Sequence, residues 1–581
     1  MSNLSELKAT KTLRGLATLL GHNAQTLSYI LYKIPPESKY QTFLIPKRSG
    51  GQRSISAPTE KLKRLQRNLA DLLQDCAEEL AVSKKRIDYL SHGFTRQRSI
   101  VSNARMHRGR RWVLNLDLQD FFPTFNFGRV RGFLIKNRDF ELNPYIATLI
   151  AQIACHDGRL PQGSPCSPVL ANLIAHVLDM RIVALTRTLG VRYSRYADDL
   201  TFSTNKRQFP SQLAVPKPDD NGAATHAWVP GDELRGIIER AAFRINEQKT
   251  NMMYCASRQE VTGLVVNRAI RAQHRYRHGL RAMVHKLVRN GTFDVFGIVH
   301  KDGTSVMEKR EGTVKQLHGM LGFSDFITND SKAGGPQPFG KHSSSDERTY
   351  RTFLFYSMFY APDRPVILCE GGTDSIYLTY AIKRLAAEYP DLLETVDGKM
   401  RRAIKIFEYR DSSTGRLLNL NEGGSDVLKK FLYAYRSETK NFGPGLQRPV
   451  IVLFDHDRGA TELRKAIKNF TAAPDLSCDF PSVHVIKNVY AVPIPGENSK
   501  IEDLFKPETK NVIIRGKSFD STNQYDTDGF YGKMIFAREV VAPHYETIDF
   551  SGFRPLLNNI LSVIREHRRL LVTKGFEPSA L

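Results

Sequence analysis

The chain has 581 residues, 84 Lys and Arg against 60 Asp and Glu, and a formal net charge of +24. That length calls for several domains. With 41% hydrophobic residues the chain can bury substantial cores, and the positive excess argues for a polyanionic partner, nucleic acid ahead of an anionic membrane. The six cysteines (76, 155, 166, 255, 369 and 478) are scattered and form no C-x-x-C pair. They exclude a zinc ribbon or disulfide framework and fit reduced thiols in the cytosol. The first eight residues lack the apolar core of a signal peptide. No apolar run reads as a membrane span, and no internal repeat is visible.

Residues 1 to about 35 have helical periodicity, with Leu13, Leu16, Leu19 and Leu20 on one face and Gly21 as a stop. A hairpin is expected from Tyr40 through Ile55, its tip basic and glycine-containing (Lys47 to Arg53). Such a tip suits a triphosphate or a nucleic-acid backbone. Glu60 to Leu80 reads as a basic amphipathic helix, followed by Ser91-His92-Gly93-Phe94 and an arginine-rich run to Arg111. In the strand Trp112 to Leu118, Leu114, Leu116 and Leu118 share one face, and Asn115, Asp117 and Gln119 the other. Strands disfavour an isolated Asp, so Asp117 reads as a metal ligand. Phe121, Phe122 and Phe125 follow as core, or as one wall of a nucleotide pocket. Pro161-Gln162-Gly163 lies on a loop where backbone can approach a ligand. After it, Ser167 as N-cap and Pro168 as first residue open a long helix.

Two strands then flank Tyr196-Ala197-Asp198-Asp199. At a hairpin turn both carboxylates can lie near one point, and crowding them costs free energy unless a cation holds them. Mg²⁺ takes carboxylate oxygens, with phosphate completing its shell. Strand alternation ranks Asp198 above Asp199 as a direct ligand. Ile245 to Thr250, containing Lys249, and Val261-Thr262-Gly263-Leu264 come next.

In this order the pieces resemble the fingers and palm of a reverse transcriptase over residues 40–270. Two further pieces resemble the retron branch: Asn103-Ala104-Arg105-Met106-His107 matches its N-A-x-x-H pattern and Val261-Thr262-Gly263 its V-T-G pattern. The resemblance implies an α+β right-hand polymerase with an N-terminal helical region (1–40), fingers and palm (41–267) and a basic thumb (268–327). Asp117, Asp198 and Asp199 would hold two Mg²⁺ ions. Arg53, Gln162 and Gly163 would contact the incoming dNTP, Phe122 would be the gate against a ribose 2′-OH, and Lys249 would protonate pyrophosphate. Asn103, His107, Val261, Thr262 and Gly263 would serve recognition of a cognate structured non-coding RNA. Retron enzymes prime from a guanosine 2′-OH of that RNA and leave a branched RNA–DNA product, msDNA.

A Gly-, Pro- and Ser-rich linker and an aromatic helix fill 328–362. Pro365 to Asp374 and Pro449 to Gly459 then each read as a buried strand and a turn leading into a helix, the signature of a parallel α/β sheet. Acids at the carboxyl ends of its strands sit where such sheets bind ligands. Residues 363–581 resemble an α/β Toprim domain of the overcoming-lysogenization nuclease type, with Glu370 as the first-motif acid and Asp455-x-Asp457 as the second. Glu502 and Lys533 fill the later acid and lysine motifs, and Gly372 stands where such nucleases often carry a lysine. The resemblance implies a second Mg²⁺ site, at Glu370, Asp455, Asp457 and Glu502, a nucleic-acid substrate, and an effector role in bacterial anti-phage defence of toxin–antitoxin type. It further implies a cytoplasmic protein with no membrane partner, and a homo-oligomer is compatible with it. Alternatives are a non-catalytic Toprim binding module, or a reverse transcriptase of another mobile element.

Overall fold

The computed structural model describes residues 2–46, 51–83, 90–218, 224–301, 304–330, 335–409, 412–471, 481–522 and 526–573. Two compact units emerge. One comprises Met1–His274, Phe296–Lys309 and Ile327–Ala333, the other Arg275–Val295, Arg310–Phe326 and Gly334–Leu581.

The first unit is built on the strand Trp112–Gln119. It pairs antiparallel with Asp199–Thr204, which pairs in turn with Arg192–Tyr196; Asn251–Tyr254 and Arg244–Ile245 pair with the same central strand. Leu114, Leu116 and Leu118 are buried, as their alternation requires, in one core with the helices Glu60–Ser83, Pro144–Ala154 and Ser167–Thr188. The strands Tyr40–Pro46 and Gln52–Pro58 form the expected hairpin. Its basic tip, 47–50, lies outside the described residues.

Two local expectations shift. The long helix begins one residue early, with Cys166 at the cap and Ser167 already helical. That helix is also long and apolar enough to cross a membrane, contrary to the reading that no such run exists. Most of it lies in the core, and its buried Asp179 is paired with an arginine.

The second unit holds a five-stranded sheet in the order Lys405–Ile406, Val366–Leu368, Val450–Phe454, Val489–Pro493, Val483–Ile486. The first four strands are parallel and the last antiparallel. Alternate side chains enter two different cores. Val366, Leu368, Val450 and Val452 pack with the helices Ser425–Glu438 and Thr461–Phe470, whereas Ile367, Ile451 and Leu453 pack with Gly372–Arg384 and Arg554–Thr573. Covering both faces explains why these strands read as unbroken apolar runs.

The stretch read as a basic, helical thumb is a helix, His274–Asn290, a hairpin of Asp294–Lys301 and Thr304–Glu311, and a second helix, Val314–Asp330. Leu280, Val284, Leu287 and Val288 of its first helix share a core with Val366 and Val450 of the parallel sheet. The second helix runs through Thr328, Asn329 and Asp330, which composition had placed in the linker.

Candidate active sites

Antiparallel register sets Asp117 directly opposite Asp199 at the end of its ladder. Directly opposed residues share one face of a sheet. Asp198 sits in the adjoining turn, where Ala197 takes a positive φ of 57° and the Asp198 carbonyl accepts from the Leu118 amide at 3.0 Å. The preference for Asp198 over Asp199, argued from alternation, therefore does not follow from this register: both converge on Asp117. Burial, then the nearby Asp117 charge, raises the Asp198 carboxyl, against the backbone hydrogen bond and the cations Lys249 and Arg53. Asp199 keeps an exposed side chain, yet crowding of its carboxylate by protein, then the charges of Asp198 and Asp117, raises it too.

Lys249, at the end of the short turn Glu247–Lys249, donates to Asp117 Oδ2 at 2.9 Å, and Asn246 Nδ2 donates to Asp117 Oδ1 at 3.2 Å. The hydrogen bond to Asp117 raises the Lys249 ammonium. Among the described residues no three His, Cys, Asp or Glu are arranged to hold a metal; here the lysine supplies the positive charge beside Asp117. The donor set nevertheless fits a hard divalent cation. Carboxylates whose ionisation is opposed by burial and by one another gain most from one.

The remaining predicted residues lie on the hairpin, the loop before the long helix and the segment after the Asp117 strand; of these, the Arg53 charge acts on Asp198. The Gln162 carbonyl accepts from the Ser56 amide at 2.8 Å, three residues beyond Arg53 on the hairpin. Gly163 has φ +124°, and a Cβ there would lie 2.7 Å from the Ser56 carbonyl, so only glycine fits. Phe121 and Phe125 are buried, whereas Phe122 is half-buried against Phe94.

The RNA-recognition assignments need correction. Asn103, His107 and Val261 are fully buried and cannot touch RNA in this conformation. His107 lies between Ser203 Oγ and Ser194 Oγ, 2.7 Å from each, and Ser194 Oγ also donates to Asn103 Oδ1 at 2.5 Å. This polar plug fixes the helix Ile100–Met106 to the strands of the acidic hairpin. Thr262 and Gly263 form a tight turn with φ of 48° and 78°, and Thr262 Oγ1 donates to the Ile100 carbonyl at 3.1 Å. The two short patterns are thus parts of one assembly, with Gly263 at its exposed tip.

Sequence reasoning missed Arg195. Its guanidinium is 0% exposed and grips Asp179, with Nε to Oδ1 and Nη2 to Oδ2 both at 2.8 Å. Nη1 donates to the Ala197 carbonyl at 3.1 Å, inside the acidic turn, and to Asn172 Oδ1 at 3.0 Å. Asn172 in turn donates to the Gly93 carbonyl at 2.7 Å. A Cβ on Gly93 would sit 2.6 Å from the Ala197 nitrogen. The available signal was an arginine two residues before the turn together with the one acidic residue of a largely apolar helix.

The second unit carries its own acidic cluster. Glu370 follows the strand Val366–Leu368, and its Oε2 accepts from the Asp455 amide at 3.0 Å. The Gly424 amide donates to the Glu370 carbonyl at 2.7 Å, and a Cβ on Gly423 would meet that oxygen at 2.4 Å. Asp455 Oδ1 accepts from the Ile501 amide at 3.1 Å. Burial, then the Glu370 charge, pushes the Asp455 carboxyl up to about 7; burial also raises Glu370. Glu502 and Lys533, which could have been an ordinary surface acid and surface lysine, are brought together: Glu502 is fully buried and Lys533 Nζ reaches it at 3.1 Å. Burial opposes the Lys533 charge, but Glu502, Asp455 and Asp374 outweigh it and raise the ammonium. Asp374, not singled out from the sequence, is buried beside this group, accepts from the Gly371 amide at 2.7 Å, and is raised by burial and by Asp455 and Glu502. Asp457 instead caps its own turn, accepting from the Gly459 amide at 2.8 Å. The donor set fits a divalent cation for the same reason as the first.

Residues 45–267 match the family model of reverse transcriptase (RNA-dependent DNA polymerase). The chain is 34% identical over 321 residues to the retron Mx65 reverse transcriptase of Myxococcus xanthus, covering 51% of this chain and 67% of that protein. It is 32% identical over 270 residues to the retron Ec86 reverse transcriptase of Escherichia coli, covering 46% and 72%. The chain belongs to the retron reverse transcriptase family. A third relative, the retron Mx162 reverse transcriptase of M. xanthus, is 30% identical, with 55% of this chain and 64% of that protein covered. Among solved structures, telomerase from Candida albicans in complex with a fragment of telomeric RNA covers 69% of this chain and 65% of that one at 11% identity and a TM-score of 0.30, a likeness too slight to argue from. In this reverse transcriptase the acidic cluster around Glu370 and Asp455 lies beyond the residues that the family model matches.

Proposed function

We propose that this reverse transcriptase copies a cognate structured non-coding RNA into DNA from a guanosine 2′-OH, leaving branched RNA–DNA, and that its second unit is a Toprim nuclease whose activity that product restrains until phage infection. The observation that carries the polymerase half is the convergence of Asp117, Asp198 and Asp199 beside Lys249. Asp117, Asp198 and Asp199 would hold Mg²⁺, which when bound acidifies the attacking hydroxyl and neutralises triphosphate charge. Arg53 and Gln162 would then align the dNTP, and Phe122 would exclude a 2′-OH. Lys249, its charge favoured by Asp117, is the proton donor for pyrophosphate. The assembly joining Ile100–Met106 to Thr262-Gly263 would present the turn to RNA, recognised by shape and 2′-hydroxyls.

For the second unit the supporting observation is a parallel sheet that places Glu370 and Asp455 at the carboxyl ends of adjacent strands, where such sheets bind ligands. Glu370, Asp455 and Asp374 would hold Mg²⁺, and Lys533 would stabilise charge on a phosphodiester in the transition state. A non-catalytic module is the second reading, favoured by the closed Glu502–Lys533 ion pair. We place the enzyme in the bacterial cytoplasm.

The test is to purify the chain with its neighbouring DNA present and sequence the bound nucleic acid. The expected product is a DNA joined to RNA through a linkage that a 2′,5′-debranching enzyme releases. Linear DNA or generic cellular RNA alone would overturn the retron-type priming.

A further inference from the structure

The second unit contains a cavity of about 810 Å³ that the acidic cluster does not occupy. It runs along the open edge of the parallel sheet. Its lining includes Arg364, Lys383, Arg401, Arg402 and Lys405, with Asp363 and Glu408 as the acids. Two of the cations are committed to the walls. Arg364 pairs with Glu394 at 2.7 Å and donates to the Arg402 carbonyl at 2.8 Å, and Arg402 donates to Thr379 Oγ1. Lys383 stands over the Tyr545 ring at 4.1 Å. Arg401 and Lys405 are exposed, and among the described residues neither has a carboxylate partner.

The edge strand adds backbone donors. The Lys405 and Phe407 amides donate inward, to Pro365 and Ile367, each at 2.8 Å. By alternation the Ile406 amide turns to the outer edge, where among the described residues no further strand pairs. At the carboxyl end of this strand, Tyr409 donates to the Cys369 carbonyl, one residue before Glu370. Glu408, the residue before Tyr409, lines the cleft and brings this end of it towards the acidic cluster.

An excess of cations, two of them uncommitted, beside an outward amide of the edge strand, matches a chain of phosphates. We propose that this cleft seats the sugar–phosphate backbone of a nucleic-acid strand and leads it to the Glu370–Asp455 site. The inference rests on the reading of that site as one that acts on nucleic acid, but the two can fail separately.

The experiment uses the full chain and a single-stranded oligonucleotide carrying 4-thiothymidine, cross-linked by near-ultraviolet light and mapped by peptide mass spectrometry. Cross-links are expected on the 399–407 peptide and should fall at least tenfold in the double variant Arg401→Glu/Lys405→Glu. Unchanged DNA synthesis together with an unchanged urea unfolding transition shows that both units of that variant fold. Absence of those cross-links, or their persistence in the double variant, overturns the proposal. So does a segment of another protein found cross-linked in the cleft by a chemical linker, which would make it a protein-docking surface. A Glu370→Gln/Asp455→Asn variant separates the readings: cross-links retained while the wild type cleaves nothing sink the nuclease reading and keep the cleft, whereas cleavage without cross-links keeps the nuclease and sinks the cleft.

Discussion

The two acidic sites of this chain reach the same charge problem by opposite routes. In the first unit the carboxylates come from a β-hairpin turn and a neighbouring antiparallel strand, and the lysine beside them is more than half exposed at its side chain. In the second they come from the carboxyl ends of parallel strands, and the lysine is tied to a glutamate that is itself fully buried. Glu370 and Asp455 stay partly exposed, so the buried pair braces that sheet end rather than closing it. The contrast teaches that geometry, rather than donor chemistry, separates the two sites: one lysine is open to solvent, the other is locked in a buried pair.

The largest effect should come from Asp198→Asn. Loss of several kcal/mol of charge stabilisation predicts a fall in RNA-templated dNTP incorporation of roughly 10³-fold or more, with any nuclease activity of the second unit retained. Incorporation near the wild-type rate would break the assignment. Glu370→Gln and Asp455→Asn should do the reverse, removing cleavage or toxicity and leaving incorporation unchanged. If both variants stay as toxic as the parent, the second unit is a scaffold.

Arg195→Ala leaves Asp179 buried without its partner, which predicts a loss of roughly 3–5 kcal/mol in unfolding free energy by denaturant titration. Arg195→Met with Asp179→Leu should recover much of that stability. It should not recover incorporation, because the Ala197 carbonyl still lacks its donor. Recovery of both would make the arginine structural only.

Burial pushes the His107 imidazole down to about 3, against about 6.5 in an unfolded chain. The folded state thus disfavours protonation. Its contribution is fully present above pH 6.5 and is lost as pH falls towards 3, at about 1.4 kcal/mol per unit. Urea midpoints measured from pH 7 to 4.5 should show this slope, and His107→Gln should flatten it. The smallest effect is expected from Gly263→Ala, which forces a side chain into φ of 78° at a cost of roughly 1 kcal/mol. Use of the cognate RNA should drop more than use of a generic primed template; equal loss would show the turn to be a brace and nothing more.

Much of this was legible in the residues. Period-two leucines placed Asp117 on a half-buried strand, and unbroken apolar runs announced the parallel sheet, because each pattern reflects which faces are covered. What sequence could not show was which polar residues go inside. Asn103 and His107 read as recognition residues, yet they satisfy each other's neighbours in a buried plug, and burial of a polar group depends on partners far along the chain. Arg195 and Asp179 escaped notice for the same reason. The thumb helix was recognised by its arginines, while its apolar face gave no hint of which core would receive it.

That last feature has a practical side. Leu280, Val284, Leu287 and Val288, with Phe293 and Val295, complete a core whose other buried members lie beyond residue 310, and the backbone passes from one unit to the other at five places between residues 274 and 334. A second unit joined in this way is not a cassette. Cutting the chain near residue 328 would strip the helix of the surface that buries its leucines, so a polymerase freed of the second unit should precipitate or melt early.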